Sequence, residues 1–252
     1  MNKIIEGKNI VKTFGRGGEQ AQALNGVNVE IESGEFVAVM GPSGSGKSTL
    51  LFALSGMDGI TGGSVKFRGA ELSKLRENEL ADVRRKKMGF IFQQPTMLKN
   101  LNILDNIVLP AVRENKKGKA GLTQKAKALM NKTGIGGLEH RDTAEVSGGQ
   151  LQRAGICRAL MNDPEILFAD EPTGALNSKS AEEIMELLAA INREGTAILL
   201  VTHDAKVATR ADRVLFTKDG SIVSELPLQK WTGADAGART DRVLAQMAAV
   251  GI

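Results

Sequence analysis

Residues 41–49 read GPSGSGKST, and the types and spacing of these residues suit a bound phosphate. Glycines leave backbone N–H groups bare around the phosphate oxygens, and the helical run that follows adds its positive end. Lys47 supplies a cation for the β- and γ-phosphates, and the Ser48 hydroxyl can ligate Mg²⁺. A chance glycine turn is the alternative, but the apolar run before the loop and the helical run after it favour a nucleotide site.

Two adjacent acids, Asp170 and Glu171, follow the apolar run at 166–170. In phosphate-loop enzymes a hydrophobic strand ends in an aspartate that helps to hold Mg²⁺, and Asp170 fits that role. Glu171 is expected to continue an extended chain and so to leave the strand end in another direction. A carboxylate there could orient or deprotonate an attacking water. The alternative is that both acids only cap the next element.

A second glycine-rich stretch, VSGGQLQRAGICRAL at 146–160, is predicted to begin another helix. Ser147 is expected to be the N-cap, with Gly148 and Gly149 behind it and good helix formers beyond. Exposed amides at a helix N-terminus can bind an anion, so the sequence predicts a second phosphate-binding segment. Arg153 follows it, and two interpretations stay open for its side chain: a surface ion pair or a phosphate contact.

The elements that must position these residues follow from the hydrophobic pattern. Wholly apolar runs predict buried parallel strands at 36–40, 166–170 and 197–202. Further strands are expected at 3–13, 24–31 and 63–67, a hairpin turning at Asp219-Gly220 at 213–223, and helices at 47–55 and 178–195. Helical periodicity dominates 95–165, around a polar loop at 113–121. We therefore predict an α/β domain over 1–226 with a mostly helical insert at 95–165, and a tail over 227–252 with a helix at 241–250.

Composition excludes several classes of protein. The 252 residues are 42% hydrophobic, 25% charged and only 4% aromatic, so we expect a globular protein with an aliphatic core. A single cysteine, Cys157, excludes an internal disulfide and fits a reducing compartment. No apolar run approaches the roughly 20 residues that cross a bilayer, and charges interrupt the N-terminal apolar run. We expect a cytoplasmic chain without a signal peptide.

The net charge of +4 includes basic runs at 84–87 and 116–119. Solvated helix and loop faces are the simplest interpretation, and contact with acidic headgroups or nucleic acid is the alternative. No aromatic residues interleave with these runs, so we expect no nucleic-acid partner.

With these motifs in this order, the chain resembles the ATP-binding subunits of ABC transporters over nearly its whole length. The resemblance implies a RecA-like phosphate-loop NTPase core, an N-terminal antiparallel β subdomain and a helical subdomain. It also implies ATP and Mg²⁺ as cofactors and ATP hydrolysis as the activity. The matching Walker A loop comprises Gly41, Pro42, Ser43, Gly44, Ser45, Gly46, Lys47, Ser48 and Thr49.

The resemblance also assigns roles to residues outside that loop. Glu171 is implied to be the catalytic base, His203 the switch histidine and Gln93 the Q-loop glutamine, although Gln94 could take the place of Gln93 by a shift of one residue. Phe14 sits where an aromatic ring stacks on adenine, or it is only an edge-strand aromatic. The implied Mg²⁺ ligands are Ser48, Gln93 and Asp170. The implied signature residues are Ser147, Gly148, Gly149 and Gln150, with Val146 in place of the usual leucine.

In the family, the signature of one subunit covers ATP on the Walker A loop of the other, which implies a homodimer. The D-loop GALN at 174–177 usually ends in aspartate, whereas this chain has Asn177. Either Asn177 is simply the cap of the next helix, or its missing charge holds basal hydrolysis down.

The stretches at 84–110 and 168–180 are most similar to the lipoprotein-releasing, macrolide-export and bacitracin-resistance group, and the bacitracin type is closest. This similarity implies a separate integral-membrane permease, through which the chain would lie on the inner face of the membrane, and a role in antimicrobial-peptide resistance or export. The alternatives are an ABC-type coupling ATPase without transport, such as a cell-division factor, and an ABC protein acting on nucleic acid. A single cassette with one cysteine and no coiled-coil insert argues against the latter.

Overall fold

The computed structural model describes residues 2–15, 20–114 and 118–252. Ten strands and eight α-helices lie in these ranges, and short 3₁₀ turns join several of them. The strands are β1 (Lys3–Phe14), β2 (Ala21–Glu32), β3 (Phe36–Met40), β4 (Gly62–Phe67), β5 (Ala70–Glu71), β6 (Met88–Phe92), β7 (Ile166–Asp170), β8 (Ala197–Val201), β9 (Arg213–Lys218) and β10 (Ser221–Pro227). The helices are α1 (Lys47–Leu54), α2 (Glu77–Lys87), α3 (Ile103–Val108), α4 (Gly118–Lys132), α5 (Gly148–Leu160), α6 (Ser178–Arg193), α7 (Ala205–Ala208) and α8 (Ala236–Val250).

Two sheets organise the described chain. A four-stranded antiparallel sheet has the order β2-β1-β4-β5, and a six-stranded sheet has the order β10-β9-β3-β8-β7-β6. In the six-stranded sheet β9, β3, β8, β7 and β6 run parallel, and β10 returns antiparallel to β9. The carboxyl ends of β3, β7 and β8 therefore lie along one edge. The predicted α/β core with an antiparallel β subdomain and helices is confirmed.

Strand β3 shows why its sequence had to be apolar throughout. Successive side chains of a strand point to opposite faces. Val37 and Val39 face a core shared with α1 and the antiparallel sheet, whereas Phe36, Ala38 and Met40 face a second core shared with α6 and α7. Both faces are thus covered, as parallel sheets require. A third core lies within the helices between β6 and β7, around Ile107 and Met130.

Several sequence expectations differ from the structure. Helix α2 and strand β6 were not among the predicted elements. Helix α2 has no fully buried residue, so it lacks the apolar stripe by which a helix is recognised in a sequence. The predicted loop at 113–121 lies partly outside the described residues, and 118–121 are helical. In the tail, α8 spans 236–250 and so begins five residues before the predicted 241.

The basic run at 84–87 forms the last turn of α2, where cations suit the negative end of the helix dipole. Arg84 pairs with Glu77, and Lys87 pairs with Glu165. The second basic run lies partly outside the described residues. No helix in the described ranges is long and apolar enough to span a membrane.

Candidate nucleotide site

The phosphate loop connects the carboxyl end of β3 to the first turn of α1, and two of its glycines are required by close contacts. A Cβ on Gly41 would lie 2.3 Å from the carbonyl oxygen of Thr217. Gly46 has φ of 93°, and a Cβ there would lie 2.4 Å from the carbonyl oxygen of Ala23. Only glycine fits such positions without moving backbone. Strands β2 and β9 therefore hold the loop from outside.

Hydroxyl groups complete this support. The hydroxyls of Ser45 and Thr217 lie 2.9 Å apart, and the Thr217 hydroxyl donates to the carbonyl of Met40 at 3.1 Å. The backbone N–H of Gly220 donates to the carbonyl of Ser45 at 3.2 Å. Sequence reasoning missed Thr217, because only tertiary pairing of β3 with β9 brings it beneath the loop.

Lys47 is folded back onto its own loop. Its Nζ donates to the carbonyls of Gly41 and Pro42, each at 2.8 Å. Burial lowers the pKa of the Lys47 amine, and the charges of Glu171 and Asp170 oppose that shift. A buried ammonium held only by neutral carbonyls gains from an anion, because charge-assisted hydrogen bonds are stronger than neutral ones.

Asp170 ends β7 beside Ser48. The Ser48 hydroxyl donates to Oδ1 of Asp170 at 2.9 Å. Burial raises the pKa of Asp170 and the charge of Glu171 raises it further, against the Ser48 hydrogen bond and the Lys47 charge. A hydroxyl oxygen and a carboxylate side by side form a donor set that suits Mg²⁺, which takes one or two carboxylates and completes its shell with phosphates and water. These residues fit the implied metal.

Glu171 corrects one expectation, because it does not continue an extended chain. The strand ends at Asp170, and Glu171 has φ of 46°, which is uncommon for a residue with a side chain. Its backbone N–H donates to the carbonyl of Val201 on β8 at 3.0 Å. Oε2 of Glu171 then lies 3.0 Å from Nδ1 of His203, which follows β8 and has an exposed ring. The left-handed turn thus aims the carboxylate across to the next strand.

Gln93 follows β6, whose last residue Phe92 pairs with Asp170. A Cβ on Gly174 would lie 2.8 Å from Nε2 of Gln93, so the amide rests against the turn that follows Glu171. The backbone N–H of Gly174 donates to the carbonyl of Glu171 at 3.0 Å. This contact supports Gln93 over Gln94 as the residue of the site.

The predicted N-caps are confirmed at both turns. The Ser147 hydroxyl accepts from the N–H of Gln150 at 3.3 Å, and the Gln150 side chain accepts from the N–H of Ser147 at 2.8 Å. Asn177 begins α6, and its Oδ1 accepts from the N–H of Ser180 at 2.9 Å. The signature glycines lie near this second turn, since Cβ atoms on Gly148 and Gly149 would come 3.9 Å from Leu176 and 3.3 Å from Ser180.

Phe14 and Arg153 complete the candidate residues. Phe14 ends β1 with 45% of its surface exposed, and Nζ of Lys12 lies 4.8 Å from its ring centroid. Lys12 is held by Asp58 at 2.7 Å. Arg153 donates to the carbonyl of Thr133 and to Glu183, each at 2.7 Å, which favours the surface ion pair over a phosphate contact.

The structure thus brings the phosphate-loop residues and the residues after β7 and β8 together, and it places the signature residues apart from them. Lys47, Ser48, Asp170, Glu171 and His203 meet at the carboxyl ends of β3, β7 and β8. The signature residues at 147–150 instead adjoin the turn at 174–180. The described chain thus supplies a phosphate loop with two carboxylates and a histidine beside it.

Comparison with known proteins gives a consistent picture. The profile of the ABC transporter family matches residues 24–174, more than half of the chain. The bacitracin export ATP-binding protein BceA of Halalkalibacterium halodurans is 43% identical over 224 residues, covering 88% of each protein. The uncharacterised ABC transporter ATP-binding protein MJ1508 of Methanocaldococcus jannaschii is 44% identical over 220 residues, covering 87% of this chain and 98% of that protein.

Other similarities are to a longer protein and to solved structures. The macrolide export ATP-binding/permease protein MacB of Mannheimia succiniciproducens is 44% identical over 222 residues. The match covers 88% of this chain but only 34% of that protein, so the chain spans about a third of it. The dimeric structure of the ATP-binding cassette MJ0796 bound to ADP and Pi is 38% identical with a TM-score of 0.84, covering 90% of this chain and all of that one.

Proposed function

Because the chain belongs to the ABC transporter family and is an ABC-type ATPase cassette, we propose that it hydrolyses ATP as half of a head-to-tail homodimer and drives a separate integral-membrane permease. The observation that supports this function best is the convergence of Lys47, Ser48, Asp170, Glu171 and His203 at one edge of the parallel sheet. Phosphate-loop chemistry needs a lysine, a hydroxyl and an aspartate for the metal, and a residue that positions the attacking water, all at the same phosphate.

Binding begins with an exchange of partners at Lys47. The phosphates lie on the bare amides of the loop and the N-terminus of α1, and the Lys47 amine turns from the carbonyls of Gly41 and Pro42 to the β- and γ-phosphates. Adenine stacks on the exposed face of Phe14, whose ring is steadied by Lys12. Ser48, Asp170 and Gln93 would hold Mg²⁺, and the ion would neutralise charge that develops on the phosphates.

Hydrolysis requires a base beside the γ-phosphate. Glu171 is aimed there by its left-handed backbone, and its carboxylate accepts the proton of the attacking water. His203 lies within hydrogen-bonding distance of the same carboxylate, so it orients Glu171 and contacts the γ-phosphate with its exposed ring. Gln93, resting on Gly174, links this turn to the segment after β6.

A second copy of the chain completes the site. The amides at 147–150 open a helix N-terminus whose side-chain cap is satisfied by Ser147 and Gln150, yet their neighbours are Leu176 and Ser180 rather than the phosphate loop. Head-to-tail pairing would place the amides of Gly148 and Gly149, which take no part in the Ser147–Gln150 hydrogen bonds, on the γ-phosphate held by the partner. The structures of the MJ0796 cassette are dimeric, which supports the pairing of two cassettes.

The permease is proposed to dock between the Gln93 segment and the helical insert. A groove of about 480 Å³ lies there, lined by Met57, Arg84, Phe90, Phe92, Leu109 and Arg158 among others. Exposed apolar side chains, Met57, Leu98, Leu109 and Val112, lie on the segments around it. Exposed apolar clusters of this kind mark interaction sites. Docking would hold the chain at the inner face of the membrane.

The cargo class comes from similarity alone. The names BceA and MacB refer to bacitracin and macrolide export, so we propose antimicrobial-peptide resistance or drug export as the process served. Nothing in the ATP site encodes the cargo.

Glu171→Gln tests the hydrolytic site. This change keeps the shape of the side chain and removes its basicity, so the variant should bind ATP, persist as an ATP-bound dimer and lose about 10²–10⁴-fold in rate. Size-exclusion chromatography with and without ATP, together with phosphate release, measures both properties. A variant that retains more than about a tenth of the normal rate would place the base elsewhere.

Leu98→Glu tests the exposed apolar surface beside the docking groove. The backbone of Leu98 is fixed by Asn106, whose Oδ1 accepts from its N–H at 2.8 Å, so the apolar side chain is presented rigidly. The variant should weaken co-purification with any multi-span membrane protein that a neighbouring gene encodes, and it should spare ATP binding. Val223→Glu, a change at an equally exposed valine of β10, is the matched control. An unchanged complex would move the docking site, and the absence of any membrane partner would favour a coupling ATPase without transport.

A further inference from the structure

Helix α8 lies outside the part of the chain that the family profile matches, yet it is anchored by unusual buried groups. Of its residues only Arg239 and Val243 are buried, with exposed fractions of 2% and 0%. A guanidinium is rarely buried to this extent, because its charge is costly to remove from water unless its hydrogen bonds are satisfied. The burial of Arg239 therefore indicates a role beyond packing.

The hydrogen bonds of Arg239 show what it holds. Nε donates to the carbonyl of Thr209 at 2.8 Å, and Nη2 donates to the carbonyl of Ala211 at 2.6 Å. Nη1 donates to the carbonyl of Leu228 at 2.6 Å. Thr209 is the C-cap residue of α7, and Ala211 lies two residues further on. The last carbonyls of a helix lack partners within it. The guanidinium thus caps the carboxyl end of α7, where a cation also suits the helix dipole.

Helix α7 depends on such outside support. It spans only Ala205–Ala208 and begins two residues after His203. Isolated helices this short are not stable in water, so tertiary contacts must fix the position of α7. Asp204 caps its amino end by accepting from the N–H of Lys206 at 2.8 Å. Arg239 secures its other end, so the segment that carries His203 is held from both sides.

Trp231 extends this contact to helix α6. The guanidinium carbon of Arg210 lies 4.2 Å from the Trp231 ring centroid, and that of Arg239 lies 5.4 Å from it. Arg210 in turn pairs with Glu182 and Glu186 of α6, the helix that begins at the turn after Glu171. The tail is therefore joined to the elements that follow both members of the Glu171–His203 pair.

The opposite end of α8 reaches the support of the phosphate loop. Nζ of Lys218 donates to the carbonyls of Val250 and Gly251, each at 3.3 Å. Lys218 ends β9 just before the hairpin turn in which Gly220 contacts Ser45 of the loop. The carboxyl end of α8 thus contacts the strand that supports the phosphate loop. The amino-terminal part of α8 contacts the segment that follows His203.

We propose that α8 is a strut that fixes His203 relative to Glu171 and the phosphate loop, and that Arg239 is the positioning residue through which it acts. This inference rests on the proposed function, since it matters for turnover only if His203 works on ATP. Arg239 touches neither the nucleotide nor Glu171. Its effect reaches the reaction through the position of the histidine segment.

Arg239→Met tests the strut, since methionine keeps an unbranched side chain without the donors. The rate at saturating ATP should fall about tenfold, because small displacements of a reacting group are costly. The ATP concentration for half-maximal rate should change less than about twofold, because the contacts of the phosphate loop remain. In a His203→Ala background, Arg239→Met should have less than about a twofold further effect, because coupled residues are not additive. Arg239→Lys, which keeps the charge and some donors, should lie between wild type and Arg239→Met.

Arg242→Met is the matched control, because Arg242 lies on the same helix and donates to the carbonyl of Pro227 instead. Its rate should stay within about twofold of wild type. Equal losses from Arg239→Met with and without His203, or no loss with His203 present, would overturn the proposal.

Hydrogen exchange on the nucleotide-free protein separates this proposal from the proposed function. The amides of Ala208, Thr209, Arg210 and Ala211 are hydrogen-bonded within the α7 segment. They should exchange faster in Arg239→Met, while those of β7 and β8 keep their protection and Arg242→Met behaves as wild type. Unchanged exchange at 208–211 would refute the strut even if ATP is hydrolysed. If exchange at 208–211 is faster but the protein does not hydrolyse ATP, the anchoring of α7 by Arg239 is upheld. Only the proposed ATPase function is then rejected. If Arg239→Met does not fold, Arg239→Lys, which keeps the charge but fewer of the donors, is measured in its place, and exchange at 208–211 should still be faster than in the wild type.

Discussion

Two glycine-rich helix starts, the phosphate loop at 41–49 and the signature turn at 147–150, have different surroundings in the same chain. In the phosphate loop, Gly41 and Gly46 lie so close to neighbouring strands that a Cβ would come within 2.3–2.4 Å of a carbonyl oxygen. In the signature turn, Gly148 and Gly149 meet only side chains, at 3.9 Å and 3.3 Å. The first is enclosed by its own chain, and the second is open.

The functional groups of the phosphate loop and of the signature turn also differ. The phosphate loop has a lysine within it and two acids and a histidine beside it, whereas the signature turn has a neutral serine cap and bare amides. An open set of amides can bind one face of an anion but cannot enclose it. The difference indicates two complementary halves of one site, and the predictions below test that division from the largest effect to the smallest.

Lys47→Met and Ser147→Arg should each inactivate the homodimer, for different reasons. Lys47→Met removes the cation from the phosphates and should weaken ATP binding by at least about tenfold. Ser147→Arg leaves the phosphate loop intact, so ATP binding should survive while the bulky cation blocks the partner's site. Mixing the two proteins should restore about a quarter of the wild-type rate, since half of the dimers then have one complete site.

Each variant assayed alone is the control. The measurement is phosphate release at equal total protein concentration. A mixture no more active than its components would show that the site is not shared between chains.

Thr217→Val should have a moderate effect on the phosphate loop alone. The change deletes the hydroxyl that joins Ser45 to the carbonyl of Met40, a net loss of about 1 kcal/mol or about fivefold in ATP affinity. Thr217→Ser keeps the hydroxyl and should bind as wild type does. Titration with a fluorescent ATP analogue measures both. If the Thr217→Val variant binds ATP as tightly as the wild type does, ATP binding does not need the support of the phosphate loop by β9.

Asn177→Asp should have the smallest effect. Oδ1 of Asn177 accepts from the N–H of Ser180, and an aspartate oxygen can make the same cap equally well. The basal ATPase rate at saturating ATP and equal protein concentration should therefore stay within about a factor of two. A rise of about fivefold would instead mean that the missing charge holds hydrolysis down, because a charge-assisted hydrogen bond exceeds a neutral one by about 1 kcal/mol.

Much of the site could be predicted from local sequence because its chemistry is local. The spacing of Gly46, Lys47 and Ser48 is set by one loop, and the caps of Ser147 and Asn177 are bonds to residues three positions ahead. Strands β3, β7 and β8 were recognisable because strands buried on both faces must be apolar throughout. Helix α2, which has no fully buried residue, gave no such signal.

The sequence by itself determined the fold class, the phosphate loop, the pair of acids and the helix caps, because each depends on residues close together in the chain. Only the tertiary structure decided the left-handed turn that aims Glu171 at His203, the support of Ser45 by Thr217, and the burial of Arg239 against α7. These contacts join residues that lie between 28 and 172 positions apart, or depend on backbone geometry imposed by a neighbouring strand. Local patterns do not encode them, because strand pairing and helix docking choose the partners.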